Sequence, residues 1–195
     1  MAVFGLSLMP LLVGSVWAAP YGQGRYSNCS YSDDCVITIT TTGSVSLSNT
    51  PTPSGSFTID SDTVTVSSNS VNGYTLQLAN SSASEAGLVN GANTIAAHSG
   101  TFGSPTTLAS NTWGFRVDDA GGFGAGPTSA VADQPSSALT FAGVPLSAAP
   151  VQIKNYTAGS VSNDNTTVWY GIHVNNSLPS GTYTSTVTYT ATALP

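Results

Sequence analysis

Hydrophobic side chains recur at every second position in two runs near the C-terminal end of the chain, 165–175 and 181–192. Successive side chains of a β-strand point to opposite faces, so this period predicts two strands with one buried face each. Threonines fill the other face of the second run, which is typical of half-buried antiparallel sheet. The residues assigned to the buried faces are Val168, Tyr170, Ile172 and Val174 in the first run, and Tyr183, Val187, Tyr189 and Ala191 in the second.

Shorter alternating runs precede these two and bring the expected total to about eight to ten strands, enough for two packed sheets. We therefore predict an all-β, mostly antiparallel β-sandwich over residues 36–195. The dipeptide Asn72-Gly73 predicts a turn that makes runs 62–68 and 73–79 neighbours. Segment 80–105 is expected to be a long connection with one short helix, and segment 118–135 a glycine-rich surface excursion. The remaining predicted strands are 36–42, 45–48, 56–59, 111–117, 139–143 and 150–154.

Charge is scarce in this sequence and its balance is acidic. The 195 residues include 3 Lys+Arg and 9 Asp+Glu, for a net charge of −6, and 40% of them are hydrophobic. A basic surface for phosphate groups is therefore absent, which excludes electrostatic nucleic-acid binding. The apolar fraction is that of a folded domain and not of a charge-rich disordered chain.

The first nineteen residues form an uncharged apolar stretch followed by a polar segment, which is the outline of an export signal. Small residues favour cleavage after Ala18, because a cut after Ala19 would place Pro20 beside the scissile bond. An uncleaved anchor is the alternative, since about 17–25 apolar residues can span a bilayer. We expect residues 1–18 to be a signal peptide or anchor, and the protein to be secreted to the cell surface. It would contact the membrane only through residues 1–18, and only if they are not cleaved.

Residues 19–35 form an N-terminal tail that contains both cysteines of the chain, Cys29 and Cys35. In an exported protein this pair predicts a local disulfide that closes a small loop. In the chain-entropy model so short a loop stabilises by about 2 kcal/mol at most.

Several strings, in their order, resemble secreted and largely uncharacterised surface proteins of the Patescibacteria (Saccharibacteria and relatives). The resemblance spans Tyr21 to Ala193 and is carried by YGQGRYSNCSYSDDC, TVTVSSNSVNGYTLQL, SGTFGSPTTLASNTWGFRVDD, GGFGAG and TTVWYGIHVNNSLPSGTYTSTVTYTATA. It implies a non-catalytic β-sandwich module at the cell surface. The C-terminal portion is also similar to the last strand of WxL-type cell-wall-binding domains, with Tyr189-Thr190-Ala191 in place of their second Trp-x-Leu motif.

No pattern for catalysis or for a cofactor emerges from the sequence, and we predict that the protein is not an enzyme. A nucleophile elbow is absent, and Gly121–Gly124 lacks the strand-to-helix context of a phosphate-binding loop. His98 and His173 are isolated. Asp pairs at 33/34, 60/62 and 118/119 lie in turn-like surroundings, where aspartate binds nearby backbone amides. Calcium ligation by these carboxylates is the weaker alternative.

Two candidate sites remain. Trp169 and His173 are expected on the face opposite Val168, where an exposed ring would suit stacking on a sugar, although a covering loop or sheet is the competing interpretation. Lys154, the only lysine, could cross-link to an asparagine, as in some adhesins.

The expected function is a non-catalytic structural or adhesive protein of the cell surface, whose partners are copies of itself or a surface glycan or protein. One alternative is a filament or surface-layer subunit assembled by strand addition, with residues 21–36 as donor, because the chain has few charges to block sheet edges. A glycan-binding module is the other.

Overall fold

A computed structural model describes residues 2–6 and 36–194. These residues contain no helix, and hence none that could cross a membrane. Most of the predicted signal segment, as well as Cys29, Cys35 and Asp33/Asp34, lie outside the described residues. The strands are β1 (Ala2–Leu6), β2 (Ile37–Thr41), β3 (Ser46–Asn49), β4 (Ser56–Ser68), β5 (Tyr74–Asn80), β6 (Leu88–Asn90), β7 (Asn93–Ala97), β8 (Thr106–Thr107), β9 (Thr112–Val117), β10 (Val131–Gln134), β11 (Thr140–Phe141), β12 (Val151–Tyr156), β13 (Val161–Val174), β14 (Tyr183–Ser185) and β15 (Val187–Ala193).

Ten strands form one large sheet in the order β10-β4-β13-β9-β7-β6-β14-β1-β3, with β2 also paired to β4. A second sheet has the order β12-β5-β15, and β11 pairs with β8. Most pairs are antiparallel, while β1–β14 and β7–β9 are parallel. The mostly antiparallel all-β class is confirmed.

The large sheet curls until β3, at one end of its order, contacts β4 near the other end. Asn49 closes this contact by donating from Nδ2 to the Ser56 carbonyl at 3.1 Å and to Thr58 Oγ1 at 2.8 Å. Asp133 adds to it by accepting the Thr50 amide. Because this sheet curls back on itself, the two-layer sandwich expected from the strand count stays a prediction.

Side chains from both sheets form one buried cluster, which includes the two predicted core faces. Seven of the eight residues assigned to those faces are at most 3% exposed, and Ala191 is partly buried. A second, smaller cluster lies on the opposite face of β4 and β13, so this part of the sheet is covered on both sides. Its members are Phe57, Ile59, Phe141 and Trp169, with Leu108 and Leu139 packed against them.

The predicted pairing of runs 62–68 and 73–79 is wrong. β4 is already paired along both edges, by β13 on one side and by β2 and β10 on the other. The chain therefore crosses at Asn72-Gly73 into the other sheet, where β5 pairs with β12 and β15.

Segment 80–105 contains a hairpin and no helix, which corrects the second local prediction. β6 and β7 pair around the two-residue turn Gly91-Ala92. The glycine-rich segment 118–135 is exposed over much of its length but ends in β10, which pairs with β4. Runs 56–59 and 62–68 are one strand, β4, and run 181–192 is divided into β14 and β15.

Candidate functional site

The Trp169 ring is enclosed in the smaller cluster and is 7% exposed. Its Nε1 donates to Asp118 Oδ2 at 2.8 Å, which satisfies the one polar atom of a buried indole. The ring therefore offers no open face on which a sugar could stack. The sequence left open whether Trp169 is exposed for sugar stacking or covered by a loop or sheet, and in the structure the ring is covered.

His173 is half-buried on β13, and neither of its ring nitrogens has a hydrogen-bond partner in the described part of the chain. The ring lies against Gly55, where an added Cβ would overlap Nε2. His98 lies elsewhere and binds Thr106 Oγ1 at 2.8 Å. Burial lowers the pKa of His98, which favours its neutral form. The two histidines thus pack separately and form no acid–base pair.

Arg116, a buried cation that sequence reasoning did not select, organises the glycine-rich segment. Its Nε is 3.0 Å from Asp118 Oδ1, and its side chain is 1% exposed. A second guanidinium nitrogen donates to the carbonyls of Phe123, Gly124 and Ala125 at 3.3, 3.1 and 2.9 Å. The planar fork of arginine suits such multiple acceptors. This arrangement fixes a loop and leaves no donor pointing to an open cleft.

A buried tyrosine pair occupies the core between the sheets. The hydroxyls of Tyr170 and Tyr189 are 2.6 Å apart. Burial raises the pKa of both tyrosines well above the usual value, and nearby Asp62, itself buried, raises each further. Both phenols therefore stay protonated in the folded protein.

We expect the free energy of unfolding to fall as the pH rises above about 10, the pKa of an unfolded tyrosine. The pKa of each tyrosine is higher in the folded protein than in the unfolded chain. The free energy of unfolding therefore keeps its full value below pH 10 and falls above it as the unfolded chain loses protons, by up to about 1.4 kcal/mol per pH unit for each shifted tyrosine. Urea unfolding at several alkaline pH values measures this slope. The double variant Tyr170→Phe/Tyr189→Phe should have a smaller slope, and an unchanged slope would contradict the assignment.

The carboxylates in the described part of the chain do not converge on a metal site. Within residues 36–194 no group of three or more His, Cys, Asp or Glu side chains could hold an ion. Asp118 is engaged by Arg116 and Trp169, and Asp62 accepts the amide of Thr42 at 3.0 Å. Asp118 and Asp119 lie in a turn as predicted, but the turn prediction is wrong for Asp60 and Asp62, which lie inside strand β4.

The most unusual feature of the molecule is the position of its first strand. β1 lies between β3 and β14, antiparallel to the former and parallel to the latter. Ala2–Gly5 pair with Ser46–Asn49, and Phe4–Leu6 pair with Tyr183–Ser185. We call the space between β3 and β14 the strand slot. The slot is therefore filled by a segment that the sequence predicts to be part of an export signal.

No family model, curated protein or solved structure matches this chain. The site must therefore be interpreted from its own geometry.

The strands that border the slot carry no charged residue and no proline, reading SLSN in β3 and YTS in β14. Natural sheet edges usually carry such residues to prevent pairing with another chain. β10 is another outer strand, and all four of its residues are exposed, Val131 among them. Asp133 protects that edge in part, because it bends the strand through a positive φ of 56°. The outer strands β2 and β15 also carry no charge and no proline, and the slot is the candidate functional site because its present partner is the segment expected to be removed.

Proposed function

We propose that the protein is a non-catalytic, extracellular structural protein of the cell surface that assembles with copies of itself by strand addition. The position of β1 is the observation that carries this proposal. Cleavage after Ala18 would remove Ala2–Leu6 and leave the facing edges of β3 and β14 without partners. Unpaired backbone groups along two edges template the addition of a strand.

A second copy of the chain is the occupant that fits the composition. Charged residues make up only 6% of the chain, so few charged side chains would oppose pairing between the strands of two copies. The mature tail, residues 19–35, precedes β2 and spans about 55–60 Å when extended. That reach is enough for the tail of one copy to enter the slot of a neighbour. Repetition of this head-to-tail contact generates a filament or lattice, since it is heterologous and need not close.

Three chains test this assembly: residues 1–195 with cleavage blocked, residues 19–195, and residues 37–195. We expect 19–195 to form large assemblies in analytical ultracentrifugation and negative-stain microscopy. Residues 1–195 should stay monomeric because the slot is filled, and 37–195 because the donor is absent. A monomeric 19–195 chain with an intact tail would overturn the proposal.

A peptide experiment separates strand addition from non-specific aggregation. A synthetic peptide with the sequence of Ala2–Leu6 should cap the slot and shorten or dissolve assemblies of residues 19–195. The matched control replaces the central Phe4 with proline, which restricts the backbone and lacks an amide hydrogen. Equal effects of both peptides would show that the slot is not the contact.

A further inference from the structure

The only lysine of the chain, Lys154, lies against a carboxylate where the two sheets meet. Lys154 is on β12, in the three-stranded sheet, and Asp164 is on β13, in the large sheet. Lys154 Nζ is 2.7 Å from Asp164 Oδ1 and 3.2 Å from Thr166 Oγ1. Thr166 is buried, and the Lys154 and Asp164 side chains are 26% and 17% exposed.

We propose that Lys154 and Asp164 condense to an isopeptide bond that joins β12 to β13. This inference is independent of strand addition and adds a modification site to the protein. The partner is a carboxylate, whereas the sequence suggested an asparagine.

Backbone irregularities direct the two side chains toward each other. The pairing of β12 with β5 shifts register between Gln152 and Lys154, and that of β13 with β4 shifts between Val161 and Asp164. Asn163, in the second irregularity, has a φ of 56°. Bulges of this kind re-aim a side chain and are common beside reactive sites. Lys154 and Asp164 therefore each come directly after an irregularity in the pairing of their strand.

The reaction needs no co-reactant. Nζ passes a proton to Oδ1 along their hydrogen bond, which leaves a neutral amine beside a carboxylic acid. The Nζ lone pair then attacks the carboxyl carbon of Asp164, and negative charge develops on Oδ2. A second Nζ proton moves to the Oδ1 hydroxyl, which leaves as water, and Oδ2 becomes the amide carbonyl. An ammonium and a carboxylate thus yield one amide and one water, with no net change of charge.

Tyr74 is placed to stabilise the charge that develops on Oδ2. Its hydroxyl donates to Asp164 Oδ2 at 2.8 Å. Burial, together with the hydrogen bond to Asp164, raises the pKa of Tyr74, so the phenol keeps its proton and remains a donor. Tyr156 stacks on Tyr74 with ring centroids 5.6 Å apart and fixes its orientation. A donor held where charge develops is worth about 10²–10³ in rate.

The fold also supplies the proximity that amide formation requires. Groups held within about 3–3.5 Å in the correct orientation react with effective molarities of about 10⁵–10⁸ M. The hydrogen bond holds Lys154 Nζ beside Oδ1, which is bonded to the carboxyl carbon that the amine attacks.

Intact mass under denaturing conditions tests the proposal on the full chain. We expect the wild-type mass to be lower than the mass of the Lys154→Arg variant by one water, once the mass difference between lysine and arginine is subtracted. Arginine keeps the positive charge beside Asp164 but does not form the amide, and it leaves every other dehydration in place. Fragmentation should place the loss in a cross-linked pair of peptides that contain Lys154 and Asp164.

Two outcomes would overturn the proposal. A wild-type mass equal to that of the uncondensed sequence would show that the pair is an ordinary ion pair. A water loss that persists in Lys154→Arg would place the dehydration elsewhere. If the bond forms, Tyr74→Phe should slow its appearance in newly synthesised protein, followed by intact mass over time, by about 10²-fold, a change of rate that a purely structural tyrosine would not produce.

Discussion

Arg116→Met is expected to lower the free energy of unfolding by about 3–5 kcal/mol, the cost of removing one partner of a buried ion pair. Methionine fills a similar volume but donates no hydrogen bond. The substitution would leave Asp118 without its cation, and would leave the carbonyls of Phe123, Gly124 and Ala125 without their shared donor. Urea unfolding followed by circular dichroism at neutral pH measures the change.

Thr167→Met, on β13, is the matched control because Thr167 is exposed and near Arg116 in the same sheet. It should change stability by no more than about 0.5 kcal/mol. Arg116→Lys should lower the free energy of unfolding by an amount between those of Arg116→Met and Thr167→Met, because an ammonium keeps the charge but does not match the geometry of the guanidinium fork. An Arg116→Met protein within 1 kcal/mol of wild type would show that this network is not essential to the loop.

Gly73→Ala is expected to destabilise the protein by about 3 kcal/mol. Gly73 has a φ of 88° and lies where the chain crosses from one sheet to the other. An added Cβ would overlap the carbonyl oxygen of Tyr156, a backbone atom that cannot rotate away. Thermal unfolding should therefore show a clear fall in Tm.

Gly91→Ala separates the two causes of that loss. Gly91 also has a positive φ, of 59°, but an added Cβ there would meet no atom within 4 Å. Gly91→Ala should therefore lower the free energy of unfolding only by the cost of holding alanine at a positive φ, about 1 kcal/mol. Equal effects at both positions would mean that the close approach to Tyr156 contributes nothing.

Local alternation predicted the strands well, because burial of one face imposes a two-residue period wherever it occurs. Val168–Val174 and Tyr183–Tyr189 show this most clearly. Pairing was harder to predict, as two Asn-Gly dipeptides demonstrate. Asn90-Gly91 begins a hairpin, with Gly91 at the first position of the turn Gly91-Ala92, and this signal was available in the sequence. Asn72-Gly73 does not, because distant segments already occupy both edges of β4.

The site residues were less predictable because their roles depend on contacts across the fold. Trp169 alternates like an exposed residue, yet Phe57, Ile59 and Phe141 enclose it from other segments. Asp164 had no local signature, and Lys154 was notable only as the sole lysine. The strand slot follows from the pairing of Ala2–Leu6, which an export signal gave no reason to expect.

The scarcity and burial of basic side chains have a practical consequence for proteolysis. Arg116 and Lys154 are the only Lys or Arg in the described residues, and trypsin cuts only after these residue types. Arg116 is almost fully buried and Lys154 lies in a paired strand. The folded domain should therefore resist trypsin, and cleavage after Arg116 should report how often the whole domain opens. At the proposed cell-surface location, such a protein would persist among trypsin-like proteases while it stays folded.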